Sequence, residues 1–151
     1  GPDVIARLPL LQQSTRPQTL AYGLTDSPSG QAAWIYEKFF EWMDCDGDPL
    51  NVLTRDEILD NIMLYWLPGT AGSSARLYWE SFRQFAGSEV RTPMAASIFP
   101  KDISPPARRW AERRFSNIVY WNELDRGGHF AAFEQPQLFV EELRTALRPF
   151  R

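Results

Sequence analysis

The spacing of apolar residues predicts a helical first part of the chain. Apolar side chains recur every three or four positions in segments bounded by proline, glycine or acidic residues. Thr54 precedes one segment and Glu57 follows three positions later, which is the spacing of a capping box. Residues 3–28 have no long amphipathic pattern. Three helices are therefore predicted, at about residues 29–43, 54–67 and 73–87.

From about residue 90 the pattern changes to short apolar runs that alternate with helical segments. Residues 90–99 and 118–124 have the length and composition of strands, while residues 105–115 and 135–147 have helical spacing. This order is typical of a parallel sheet, and two parallel strands are not stable alone. We therefore expect an α/β fold whose sheet is incomplete in this chain. The last helix is expected to bury Leu138, Phe139, Leu143 and Leu147.

Composition and charge exclude several classes of function. The 151 residues carry a formal net charge of −3, too acidic for a general nucleic-acid binder, which needs a basic face. The single cysteine and single histidine exclude a disulfide framework and a His-rich or multi-cysteine metal site. No apolar run reaches the ~18 residues of a membrane span, and no signal peptide is visible. We expect no metal, no nucleic acid, no transmembrane segment in this chain and a cytoplasmic location.

The alternating aspartates of residues 44–48 raise the possibility of a calcium loop. An EF-hand loop beginning at Asp44 would need glycine and glutamate where this chain has Pro49 and Arg55. We therefore interpret the segment as a solvated acidic loop. Its Cys45 has no basic neighbours that would activate a thiol, so no function is expected for it.

The strongest candidate for chemistry is His129, which lies in an Arg-Gly-Gly-His-Phe run between the second strand and the last helix. Functional groups of open α/β sheets collect at the carboxyl ends of the strands. Asp102 follows the first strand in the equivalent loop, so the two side chains are expected to lie side by side. Such a pair is the acid and base of a catalytic triad, and the alternative is a structural histidine. No nucleophile elbow occurs, so the residues indicate the back half of a hydrolase.

Four motifs resemble those of the microsomal-type epoxide hydrolases, in the same order. The resemblance extends from about residue 12 to residue 149. It implies an α/β-hydrolase fold, with residues 1–87 as the C-terminal part of the helical lid and residues 88–151 as the last two βα units of the core. The motifs are TRPQT at 15–19, GLTDSP at 23–28, NIMLYW at 61–66 and RGGHFAA at 126–132.

The resemblance also implies the residues of the site. The family's base is the histidine of Gly-Gly-His-Phe, here His129, and its acid follows the Phe-Pro that ends the preceding strand, here Asp102. The lid tyrosine of the Ser-Ser-x-Arg motif is here Tyr78. The implied reaction is the hydrolysis of an epoxide to a diol through an aspartyl ester, without a cofactor. Aromatic side chains favour an apolar epoxide, and three are expected to bind it: Trp66, Trp79 and Phe130.

Two departures from the family pattern affect these expectations. The nucleophilic aspartate and the His-Gly-Trp-Pro segment of the oxyanion hole are absent, so activity is expected only with an N-terminal half of the fold, on the same or a separate chain. The family's second lid tyrosine falls near Pro9, while Tyr22 lies well downstream. Either the pairing is offset or ring opening relies on Tyr78 alone. Two alternatives stay open, an inactive hydrolase-like binding module and an epoxide-hydrolase-like cyclase of natural-product biosynthesis.

Overall fold

The computed structural model describes residues 2–81 and 89–150, and these form two compact units. The first unit consists of residues 2–41 and 48–81, and the second of residues 42–47 and 89–150. The predicted end of the third helix at residue 87 lies outside the described residues. The assignment of residues 1–87 to a lid and 88–151 to a core stays a prediction.

Within residues 2–81 the chain forms five α-helices, two of which were not predicted. Residues 3–28 were expected to lack a long helix, yet α1 and α2 occupy them. A search for large apolar residues does not find these helices, because small residues form the contact between α2 and α5. A Cβ on Gly72 of α5 would lie 3.0 Å from the Cβ of Ala21 in α2. The helices are α1 (Pro2–Thr15), α2 (Pro17–Asp26), α3 (Pro28–Trp42), α4 (Arg55–Trp66) and α5 (Ala71–Ser81).

The capping box predicted for α4 is confirmed. Oγ1 of Thr54 accepts a hydrogen bond from the backbone N–H of Glu57 at 3.2 Å, and Oε2 of Glu57 accepts one from the backbone N–H of Thr54 at 2.8 Å. The backbone hydrogen bond from Thr54 holds the pKa of the Glu57 carboxyl below its usual value. The buried face of α4 carries Ile58 and Ile62.

The second unit contains the parallel pairing that the sequence predicts. Strand β1 (Met94–Ile98) pairs in parallel with strand β2 (Ile118–Glu123). The helix expected at 105–115 is shorter, since Pro105 and Pro106 favour extended backbone before it. The helices of this unit are α6 (Arg108–Ala111), α7 (Ala131–Glu134), which was not predicted, and α8 (Pro136–Leu147).

A buried carboxylate joins α8 to both strands. Glu142 accepts hydrogen bonds from Oγ of Ser97 at 2.7 Å, the hydroxyl of Tyr120 at 3.0 Å and Nδ2 of Asn122 at 2.9 Å. Burial and the neighbouring carboxylate raise the pKa of the Tyr120 phenol.

The expected apolar face of α8 is half-buried at Leu138 and Phe139 but exposed at Leu143 and Leu147. Leu143 and Leu147 are 46% and 53% exposed, whereas Glu142 and Ala146 are buried. The polar side chains of the strands bind Glu142, a contact that an apolar pattern does not record. No helix within the described ranges is both long and apolar enough to cross a bilayer.

Candidate active site

Two loops meet where the parallel strands end. One follows β1 and carries Asp102, and the other follows β2 and carries His129. The backbone N–H of Lys101 donates to the carbonyl of Gly127 at 3.1 Å, and Lys101 forms a parallel bridge with Gly128. The pairing of the strands therefore continues into the loops and brings their side chains together, as expected for the carboxyl edge of a parallel sheet.

Asp102 and His129 form the expected contact. Oδ1 of Asp102 lies 2.7 Å from Nδ1 of His129. Because an ionised carboxylate only accepts, Nδ1 carries the proton and the lone pair of the neutral ring is on Nε2. The pair is therefore arranged as an orienting acid and a base whose free nitrogen is Nε2.

Two aromatic rings pack against the imidazole of His129. The centroid of the Trp42 ring lies 5.2 Å from that of the imidazole, at an interplanar angle of 80°. The centroid of the Phe130 ring lies 5.1 Å from that of the imidazole, at 78°. These edge contacts, together with the hydrogen bond to Asp102, fix the plane of the ring. Trp42 belongs to segment 42–47, and nothing in the sequence indicated that this segment contributes to the site.

The backbone around His129 is held by hydrogen bonds at four successive residues. Four successive N–H groups, those of residues 127–130, donate to acceptors outside this run. Their acceptors are Oδ2 of Asp44 for Gly127 (2.9 Å), Oε2 of Glu134 for Gly128 (2.7 Å), the carbonyl of Trp42 for His129 (2.9 Å) and Oε1 of Glu134 for Phe130 (2.8 Å).

The interpretation of residues 44–48 as a solvated loop is thus wrong for Asp44. Its carboxylate binds Gly127, and its backbone N–H donates to Oε2 of Glu134 at 2.8 Å. Asp44 and Glu134 are residues of the site that the sequence analysis missed. In the sequence Glu134 follows shortly after the motif that contains His129, so its position could have drawn attention to it. Asp44 is separated from Gly127 by 83 positions and had no such signal.

The two glycines before His129 are required for different reasons. Gly127 has φ of +98°, which disfavours other residues, and a Cβ there would lie 2.7 Å from the ring of Phe99. A Cβ on Gly128 would lie 2.6 Å from the carbonyl oxygen of Trp42. The first glycine permits the turn, and the second permits the backbone of the loop to approach segment 42–47 closely.

The other predicted site residues belong to the first unit, apart from Phe130. Tyr78 and Trp79 lie on α5, where Tyr78 is half-buried and Trp79 is 43% exposed. Trp66 is the half-buried last residue of α4. Their roles stay predictions. Among the described side chains no group of three or more His, Cys, Asp or Glu is arranged to hold a metal ion.

The chain is similar to several epoxide hydrolases, although no protein-family model matches it. It is 58% identical over 142 residues to an inferred epoxide hydrolase of Stigmatella aurantiaca, which covers 93% of this chain and 32% of that protein. It is 36% identical over 144 residues to epoxide hydrolase 1 of Sus scrofa, covering 87% of this chain and 32% of the relative.

Solved structures agree with the sequence comparison. The crystal structure of juvenile hormone epoxide hydrolase from the silkworm Bombyx mori matches 96% of this chain and 37% of that one, with a TM-score of 0.88 and 33% identity. The epoxide hydrolase of Aspergillus niger matches 95% and 36%, with a TM-score of 0.82 and 31% identity. The chain spans about a third of the length of these curated relatives (32%), less than the half assumed from the sequence.

Proposed function

Because the chain belongs to the epoxide hydrolase family of the α/β-hydrolase fold, we propose that it supplies the base of an enzyme that hydrolyses an epoxide to a vicinal diol. In the first step an aspartate from the rest of the fold attacks a ring carbon and forms an ester, while Tyr78 donates a hydrogen bond to the developing alkoxide. In the second step His129, oriented by Asp102, removes a proton from the water that cleaves the ester.

The observation that carries this proposal is the 2.7 Å contact between Asp102 and His129. It leaves Nε2 as the basic nitrogen, which is the nitrogen that a water-activating histidine uses in an acid–base pair. In this chain the side chains of His129 and Asp102 are 37% and 33% exposed.

The substrate that we propose is an apolar epoxide. Trp66, Trp79 and Phe130 support this because aromatic side chains bind apolar groups by burying their surface. The nucleophile and the oxyanion hole are not among the 151 residues. We therefore propose that the enzyme is active only when the remainder of the fold is present.

The test is to trap the ester in the full-length enzyme. In His129→Gln the base is lost but ring opening is still possible, so the protein should gain the mass of one epoxide on its nucleophile. Asp125→Asn is the matched control, because that side chain is 82% exposed beside the same loop. It should turn over without a trapped adduct. If His129→Gln traps none, the two-step mechanism does not apply to this protein.

A second candidate function is cyclisation of an epoxide by its own hydroxyl group. Pro9 favours it, because this residue is buried within α1 and cannot donate a proton where the family has a tyrosine. Turnover in ¹⁸O-water separates the two reactions. After many turnovers hydrolysis leaves ¹⁸O in the diol, whereas cyclisation leaves none in the product. An inactive binding module gives no product at all.

A further inference from the structure

Glu134 is a buried carboxylate that binds backbone donors only. The residue is 6% exposed. It accepts three hydrogen bonds of 2.7–2.8 Å, from the backbone N–H groups of Gly128, Phe130 and Asp44. Hydrogen bonds to an ionised acceptor are about twice as strong as neutral ones, and a buried carboxylate without them is costly. These three bonds therefore fix the position of Glu134 and of the groups that it binds.

Two of these bonds flank the base. Gly128 and Phe130 are the residues immediately before and after His129, and one carboxylate holds the N–H groups of both. The same oxygen that binds Gly128 also binds Asp44. Segment 42–47 in turn accepts the N–H of His129 through the carbonyl of Trp42 at 2.9 Å. The backbone of His129 is thereby tied to a second segment of the unit.

We propose that Glu134 is a positioning residue for the base: its carboxylate holds the backbone on both sides of His129, so that the imidazole faces the water of the second step. This inference rests on the proposed function of His129. The described hydrogen bonds of Glu134 all come from backbone N–H groups and not from the ring, so it acts on the reaction through the backbone. A displacement of about 1 Å at such a group can cost roughly 10²-fold in rate.

Glu134→Gln removes this support with little change of volume. All three partners are N–H donors, so the amide nitrogen of glutamine cannot accept any of their bonds, and at least one donor loses its acceptor. Glu134→Asp keeps the charge but is one methylene shorter, so its carboxylate cannot reach all three donors. It serves as the milder variant if Glu134→Gln does not fold.

Glu142→Gln is the matched control. Glu142 is also a buried carboxylate of the second unit with three hydrogen bonds, but its donors are the side chains of Ser97, Tyr120 and Asn122 in the strands. Loss of stability alone should affect Glu134→Gln and Glu142→Gln alike. A change confined to Glu134→Gln therefore reports on the His129 loop.

The experiment measures the two chemical steps separately in the full-length enzyme, with an epoxide whose ester can be followed by mass. We expect Glu134→Gln to form the ester at the wild-type rate and to hydrolyse it roughly 10- to 100-fold more slowly, so that ester accumulates. Glu134→Asp should accumulate it to a smaller extent, and Glu142→Gln should not.

Three results would overturn the inference. The first is that Glu134→Gln (or Glu134→Asp, if Glu134→Gln does not fold) accumulates no more ester than wild type. The second is that the variant slows ester formation and ester hydrolysis equally. The third is that Glu142→Gln also accumulates ester. His129→Gln, run in parallel, distinguishes the two proposals. If it traps the ester while Glu134→Gln does not, the positioning role fails and the proposed function stands. If it traps none, the proposed function itself fails.

Discussion

Oδ1 of Asp102 lies 2.7 Å from Nδ1 of His129, although 27 positions separate the two residues in the sequence. The contact exists because β1 and β2 are parallel neighbours whose loops continue side by side past the strands. In the proposed mechanism the carboxylate keeps the proton on Nδ1 and stabilises the imidazolium that forms when Nε2 takes a proton.

Asp102→Asn should therefore slow ester hydrolysis and spare ring opening. The amide is neutral and no longer stabilises the protonated ring, so the loss should be about 10²–10⁴-fold, the range of general acid–base catalysis. Asp102→Glu is the matched variant, since it keeps the charge and should retain most of the rate. Single-turnover measurement of ester formation and decay in the full-length enzyme checks both. A wild-type rate of decay in Asp102→Asn would show that the pair is only structural.

The sequence predicts those parts of this molecule that depend on local pattern. The capping box of Thr54 and Glu57 is local, and so is the alternation of strands and helices that brings Asp102 beside His129. The bond between Asp44 and Gly127 is different, because it joins a side chain to a backbone N–H 83 positions away. Every residue except proline has a backbone N–H, so the sequence does not show which of these groups will bind the carboxylate of Asp44.

Small residues limit prediction in the same way. The close approach between α2 and α5 depends on Ala21 and Gly72, which a search for large apolar residues passes over. The buried face of α8 carries Glu142, a residue type that is rarely expected inside. In each case the contact was specified by a tertiary partner and not by the period of the segment.

The 151-residue chain expressed alone should bind a hydrophobic dye strongly and unfold without a sharp transition. The described sheet has two strands, and large apolar side chains are exposed, with Leu64 at 71%, Leu67 at 76% and Trp110 at 55%. Such edges and patches are normally covered by other parts of a fold. Dye fluorescence and calorimetry of the isolated chain test this. A cooperative melt of a monomer without dye binding would contradict it.

The capping box should make part of the stability dependent on acid. The pKa of Glu57 is lowered in the folded protein, so its contribution is present above the unfolded value of 4.5 and is lost as the pH falls below it. Thr54→Ala removes the cap and should cost about 1 kcal/mol near neutral pH. Glu57→Gln removes the titrating carboxylate, so the difference in Tm between wild type and Glu57→Gln should shrink as the pH falls below 4.5. A difference that is constant with pH would show that Glu57 does not take part.

Tyr78→Phe should slow ring opening and leave the decay of the ester unchanged, which is the reverse of the Asp102 variant. In the proposed mechanism the phenol donates a hydrogen bond to the alkoxide that forms only in the first step, and loss of one such donor typically costs about 10²–10³-fold. Because no second tyrosine lies near Pro9 in the sequence, we expect the loss toward the upper end.

Tyr22→Phe decides whether another tyrosine shares this role. Tyr22 is 69% exposed on α2, and we expect its variant to form the ester at the wild-type rate. A loss in Tyr22→Phe comparable to that in Tyr78→Phe would mean that the tyrosine pair is offset along the chain. An unchanged rate in Tyr78→Phe would remove this residue from the mechanism, because a hydrogen bond that stabilises the transition state cannot be deleted without slowing the step.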